Sequence, residues 1–212
     1  MAQPAPPGDR WIAEHLSGPQ EKFAAFASEI YDGENSALDR KTKELIAAAT
    51  ASVQRCPHCT DGHLEGAKEA GASEEEIAEA LAVAWGQGGG TQVFWMKDDF
   101  ADLLGERWRQ EFLPDADRAF WDFKRDVFEG GVLSRKTKEL IAVAVSCALR
   151  CRHCTRSHIE AALDVGASKK EVAETLGVLW VIGSGAEVVW NKDGFEKHLH
   201  TKAHARENGA PA

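Results

Sequence analysis

Apolar and polar positions along this chain alternate with helical spacing. From Asp39 to Arg55, Leu45, Ile46, Ala49 and Val53 fall on one side of a helix, and alanines fill much of the remainder. Ser134 to Arg150 repeats the pattern with Leu140, Ile141, Ala144 and Ala148. Asp39 and Ser134 stand where N-caps belong, since a short polar side chain there accepts from a free backbone N–H of the first turn. Gly71 and Gly166 can end a helix in the left-handed conformation, and Ser73 with Glu76 and Ser168 with Glu171 form capping boxes that open the next. Strand signals are nearly absent, so the pattern predicts an all-α chain. The run Gly86-Gln87-Gly88-Gly89-Gly90 has no preceding strand and no phosphate-loop lysine, which favours close helix packing or a helix break over nucleotide binding.

The pattern occurs twice. At an offset of 95 residues, 16 of the 26 positions from Leu38 to His63 are identical in the second copy, and the offset extends to Trp85 with Trp180, Gly90 with Gly185, and upstream to Pro19 with Pro114. A unit of this size is a whole domain rather than a solenoid repeat. The reading is a fused tandem: residues 1–105 as the first repeat with a flexible N-terminus, 106–200 as the second, and 201–212 as a flexible tail. At 212 residues the chain can form two small bodies or one with a shared core.

A formal charge of −9 argues against nucleic-acid binding, which needs a clustered cationic surface. Met1 to Arg10 has no apolar stretch of the signal-peptide type, and no apolar run approaches the ~20 residues that span a bilayer. Paired cysteines without an export signal fit the cytoplasm, where such pairs are catalytic or metal-binding more often than structural. His198, His200 and His204 could bind a metal, but a solvated tail accounts for them more simply.

Four of the five cysteines lie in two copies of C-x-H-C-x3-H: Cys56, His58, Cys59 and His63, then Cys151, His153, Cys154 and His158. On a helix from Cys56 to Ala70 the two cysteines and the distal histidine share one stripe. His63 is one turn from Cys59 but ~10 Å along the axis from Cys56, so it should act on Cys59, and His158 on Cys154. A helix N-terminus, a histidine and a dithiol partner all favour the thiolate, which is the nucleophile. Cys59 or Cys154 could reduce a peroxide, with Cys56 or Cys151 closing a disulfide, or the dithiol could reduce an external disulfide. Glu44 and Glu139, twelve residues before the first cysteine of each pair, could orient the histidine and relay its proton; the plainer alternative is a solvated, lysine-paired glutamate. His58 and His153 could tune the thiols although they project off the stripe. Cys147 is most simply a buried small apolar residue.

Glu-x11-Cys-x-His-Cys-x3-His resembles the active-site signature of the alkylhydroperoxidase D branch of the carboxymuconolactone decarboxylase family, once in each half. The resemblance implies two homologous helical repeats packed in one chain, homo-oligomers, no cofactor, and thiol-dependent peroxidase or disulfide-reductase activity. It further implies a peroxide substrate, an external dithiol donor of lipoyl or thioredoxin type, and a partner peroxidase as a further candidate. In that family the second cysteine is the reactive thiol, served by the glutamate and the following histidine; those roles fall on Cys59, Glu44 and His63, and on Cys154, Glu139 and His158. Two other readings stand beside it. Cys56, Cys59 and His63 could bind zinc, though a structural site usually takes four ligands. Alternatively, the dithiols could serve a non-catalytic, redox-responsive interface.

Overall fold

The structure, a computed structural model, describes residues 10–199. The expected flexible ends, with His200 and His204, lie outside them, whereas His198 belongs to the last helix. Among the described residues every regular element is a helix. The first half runs α1 (Arg10–His15), α2 (Ser17–Asp32), α3 (Arg40–Val53), α4 (Pro57–Glu69), α5 (Glu74–Phe94) and α6 (Lys97–Leu104). The second repeats it as α7 (Trp108–Phe112), α8 (Pro114–Glu129), α9 (Arg135–Ala148), α10 (Arg152–Asp164), α11 (Lys169–Val189) and α12 (Lys192–Leu199).

The start signals act as the residues dictate. Asp39 and Ser134 accept from the backbone N–H of Thr42 and Thr137, and Ser73 and Ser168 form complete capping boxes with Glu76 and Glu171. Gly71 and Gly166 adopt φ of 85° and 90°. The glycine run lies wholly inside α5, so close packing, not a break, is its role. A Cβ on Gly89 would meet Phe120 of α8 at 3.3 Å.

α3 and α9 are the central pair. Each buries nine consecutive residues, Lys43–Ala51 and Lys138–Ser146, which requires neighbours on all sides. They pack on each other, on both long helices α5 and α11, and each on its own short partner, α4 or α10. Leu45, Ile46, Leu140 and Ile141 belong to one core that both halves line, so the repeats are not separate bodies. Between the halves there is a reciprocal exchange: α2 packs on α11, and α8 packs on α5. Two carboxylates fasten it. Glu174 of α11 accepts from the backbone N–H of Ala37 and Leu38, and Glu79 of α5 accepts from those of Val132 and Leu133. The buried ammonium groups of Lys43 and Lys138 stand beside them, at 3.9 and 3.0 Å.

One expectation shifts. Five residues, 33–37, separate α2 from Leu38, but only three, 130–132, separate α8 from Leu133. Upstream of those loops the offset between the halves is therefore 97, and Pro114 corresponds to Ser17 rather than Pro19. Another concerns hydropathy: α11 is long and apolar enough to cross a bilayer by length and composition, with a mean hydropathy of 1.5 over its best window. No contiguous apolar run signals it because Lys, Glu and Gly residues interrupt the helix. Its neighbours here are α2, α3, α4, α9 and α10.

Candidate functional site

Each dithiol sits at a sharp corner between two helices. α3 ends in a Schellman arrangement, with Cys56 N–H bonded to Ala51 O and Arg55 N–H to Ser52 O; Arg55 occupies the left-handed position at φ 58°. Arg150 does the same at 59°. A non-glycine residue there carries roughly 1 kcal/mol or more of strain, held by the helices on either side. The corner delivers Cys56 and Cys151 as N-caps of α4 and α10, in extended conformation, and their sulfurs accept from the backbone N–H of Cys59 and Cys154 at 3.3 Å. The first cysteine thus caps the helix rather than lying on its stripe.

Cys56 is disulfide-bonded to Cys59, and Cys151 to Cys154, with Cα atoms 5.3 Å apart in both pairs. Within each pair the first cysteine is fully buried and the second is half-buried. The second cysteine is thus the more exposed of each pair, and Cys154 lines a surface cavity.

Glu44 and Glu139 are 2% and 1% exposed, which displaces the reading of a solvated, lysine-paired glutamate. Glu44 Oε2 lies 2.7 Å from His63 Nδ1 and Glu139 Oε2 lies 2.6 Å from His158 Nδ1. A carboxylate only accepts, so Nδ1 carries the hydrogen and Nε2 is the acceptor of the neutral ring. The other carboxylate oxygens accept from Arg40 Nε at 2.8 Å and Arg135 Nε at 2.7 Å. Burial pushes the Glu139 carboxyl upward, but hydrogen bonds and charge from His158 and Arg135 outweigh it and hold it below its ordinary value.

An aromatic ring covers each histidine, from α2 in one half and α8 in the other. Tyr31 is stacked on His63 at 6.1 Å, and Phe128 on His158 at 5.5 Å. Arg40 and Arg135 lie over these rings at 4.6 and 5.0 Å. Burial, then Glu44, pushes the Tyr31 phenol well above its ordinary range. These four residues were missed in the sequence. Arg40 and Arg135 could have been found, since each lies four residues before the glutamate. Tyr31 and Phe128 lie upstream of the unequal loops and so do not align at the offset of 95.

The structure therefore brings together Glu44, Cys56, Cys59 and His63, and separately Glu139, Cys151, Cys154 and His158. His153 lines the surface beside Cys154 and pairs with Asp98 of the first half, 3.3 Å from its Nε2, and His58 is half-buried at the equivalent turn. Cys147, expected as a buried small apolar residue, is a free, half-buried thiol whose pKa burial raises. Among the described residues no group of three or more His, Cys, Asp or Glu side chains is placed to hold a metal ion.

The sequence profile of the carboxymuconolactone decarboxylase family matches residues 19–96 and again residues 114–192. Over 65 residues the chain is 46% identical to "Uncharacterized protein 4 in cox locus" of Paracoccus denitrificans; the match covers 30% of this chain and 56% of that protein. A crystal structure of a candidate gamma-carboxymuconolactone decarboxylase subunit from Burkholderia xenovorans LB400 superposes with a TM-score of 0.77 over 92% of both chains, at 22% identity, a likeness of fold.

Proposed function

Since the chain belongs to the carboxymuconolactone decarboxylase family and carries two dithiol sites, we propose that it is a thiol-dependent peroxidase or disulfide reductase of the alkylhydroperoxidase D type. The observation that carries this reading is the pairing, in both halves, of a buried and an accessible cysteine with a histidine whose far nitrogen is fixed by a buried glutamate.

In the reduced enzyme His63 Nε2 takes the proton of Cys59, helped by the N-terminus of α4, and Glu44 stabilises the imidazolium that results. The thiolate attacks one peroxide oxygen; an S–O bond forms as the O–O bond breaks, and the departing alkoxide takes a proton to leave as alcohol. Cys56 then attacks the sulfenic sulfur of Cys59, forming the disulfide and releasing water. An external dithiol restores both thiols by exchange at the accessible sulfur and leaves as a disulfide. Cys154, His158, Glu139 and Cys151 act likewise. His58 and His153 border the thiols without a step of their own.

The donor is a lipoyl or thioredoxin-type dithiol, a partner peroxidase is a further recipient of electrons, and the reaction runs in the cytoplasm without a cofactor. Trp85 and Trp180, at equivalent positions and 73% and 67% exposed, support assembly into a homo-oligomer. The test is peroxide consumption with a panel of dithiol donors. Cys59→Ser with Cys154→Ser should abolish turnover, whereas Cys147→Ser should keep most of it. Full turnover in the double variant refutes the assigned nucleophiles.

A further inference from the structure

The two thiol sites share their reactive groups but not their surroundings. Beside Cys154 and His158 lies a cavity of about 370 Å³. Its walls come from both halves: Gln87, Phe94 and Lys97 from α5 and α6, and Phe120, Trp121 and Lys124 from α8.

Lys124 is fitted into this cavity by a set of matched residues. Its stem runs past Gly86, where a Cβ would meet Lys124 Cδ at 3.3 Å. Its ammonium donates to Gln87 Oε1 and lies 4.7 Å over the Phe128 ring that covers His158. Gln87 is itself buried and held by its donation to Ser146 Oγ at 2.9 Å. Around the first site every member of this set is lost together. The counterparts of Gly86, Gln87, Lys124 and Ser146 are Val181, Ile182, Ala27 and Ala51. Nearby, Ala24 stands for Trp121 and Asp61 for Arg156. Four coordinated differences around one cation mark a built feature, because a lysine stem, its groove, its amide partner and that partner's hydroxyl are useful only together.

A cavity with three aromatic walls and one deep ammonium suits a ligand with an apolar body and a single negative charge. The remaining charges sit at the mouth: Lys97 is half exposed, and Arg156 is largely exposed and paired to Glu160 at 2.9 Å. A phosphate dianion would call for several buried donors, and only Lys124 lies deep. Resting on the thiol chemistry above, we propose that the second site, and not the first, takes a substrate bearing one carboxylate on an apolar body, with Lys124 as its counter-charge. Lys124 is a specificity-determining residue in this assignment. The carboxylate-bearing molecule can be the peroxide or the reducing dithiol, which share this chemistry.

The binding test uses the disulfide form, so it is independent of turnover. Octanoate and octanamide, identical in body and different in charge, are titrated at pH 7 by calorimetry. One octanoate should bind per chain, about tenfold or more tighter than the amide, as a charge-assisted hydrogen bond provides. Lys124→Met should bring the two within about twofold. Equal affinity of acid and amide in the parent protein overturns the proposal, and that comparison needs no variant to fold. A preference that survives Lys124→Met, or two equivalent sites per chain, also overturns it.

A kinetic arm then separates the two sources in chains with a single working site. Cys56→Ser with Cys59→Ser leaves the second site, and Cys151→Ser with Cys154→Ser leaves the first. Dihydrolipoate is compared with dihydrolipoamide as reductant, and a fatty-acid hydroperoxide with its methyl ester as oxidant. The second-site chain should prefer the acid in one of these pairs and the first-site chain in neither; no preference in either pair defeats the substrate assignment. Octanoate binding without any turnover would instead count against the thiol chemistry alone.

Discussion

Lys124 is held at a cost that titration can expose. Burial is the main cause that lowers its pKa from 10.5 to about 8; Arg135 adds to the fall and Glu139 opposes it. A base whose folded pKa is depressed binds fewer protons folded than unfolded between these two values, so stability rises with pH from about 8 to 10.5. Methionine has nothing to titrate. The stability of Lys124→Met relative to the parent should therefore be greatest near pH 7 and shrink by about 3 kcal/mol towards pH 10.5, at ~1.36 kcal/mol per pKa unit. Denaturant unfolding across that range measures it, and a pH-independent difference would show that the ammonium is not desolvated. At this scale the sequence was informative where chemistry and spacing coincide. Glu44, Cys59 and His63 were legible from one motif, because His63 follows Cys59 by one turn of the same helix and Glu44 recurs at the same spacing before the dithiol in both copies; the corner between α3 and α4 then brings the carboxylate to the histidine. Tyr31, Phe128 and Lys124 were not, since they reach the site from another helix through packing alone.

At the scale of elements, the caps and stops were written locally and could be read locally. Asp39, Ser73, Ser134 and Ser168 each satisfy backbone donors within three residues. The exchange of α2 and α8 between the halves depends on partners more than a hundred or some fifty residues away, as in Glu174 with Leu38 and Glu79 with Leu133, and no local pattern announces it. Those two carboxylates pin the loops that lead into α3 and α9. The acceptor side of each clamp holds Glu174 and Glu79 below the ordinary carboxylate range, against the opposing effect of burial. Glu79→Ala removes the acceptors of two backbone N–H groups and the partner of Lys138; it should cost roughly 2–4 kcal/mol, and Glu174→Ala about the same. Thermal unfolding checks this; losses within ~0.5 kcal/mol would leave the clamps as surface contacts.

At the scale of the molecule, the sequence established the duplication but left open whether the halves stand apart. The shared core decides it. Leu45 and Ile46 of one half and Leu140 and Ile141 of the other are almost wholly removed from solvent within a single cluster. Exposing such a face costs ~25 cal/mol for each Å² returned to water. Residues 1–105 or 106–212 expressed alone should therefore not form a folded monomer; they should stay unfolded, aggregate, or pair with a second copy. Sedimentation and amide-proton dispersion of each half test this, and a folded monomeric half would contradict a common core.

The crossed helices also change how such a chain can evolve. Because α5 and α6 of the first repeat supply part of the wall of the cavity beside Cys154, the surroundings of one thiol site are encoded partly in the other repeat. A mutation in the first repeat can retune the second centre while leaving every residue of its own thiol motif untouched.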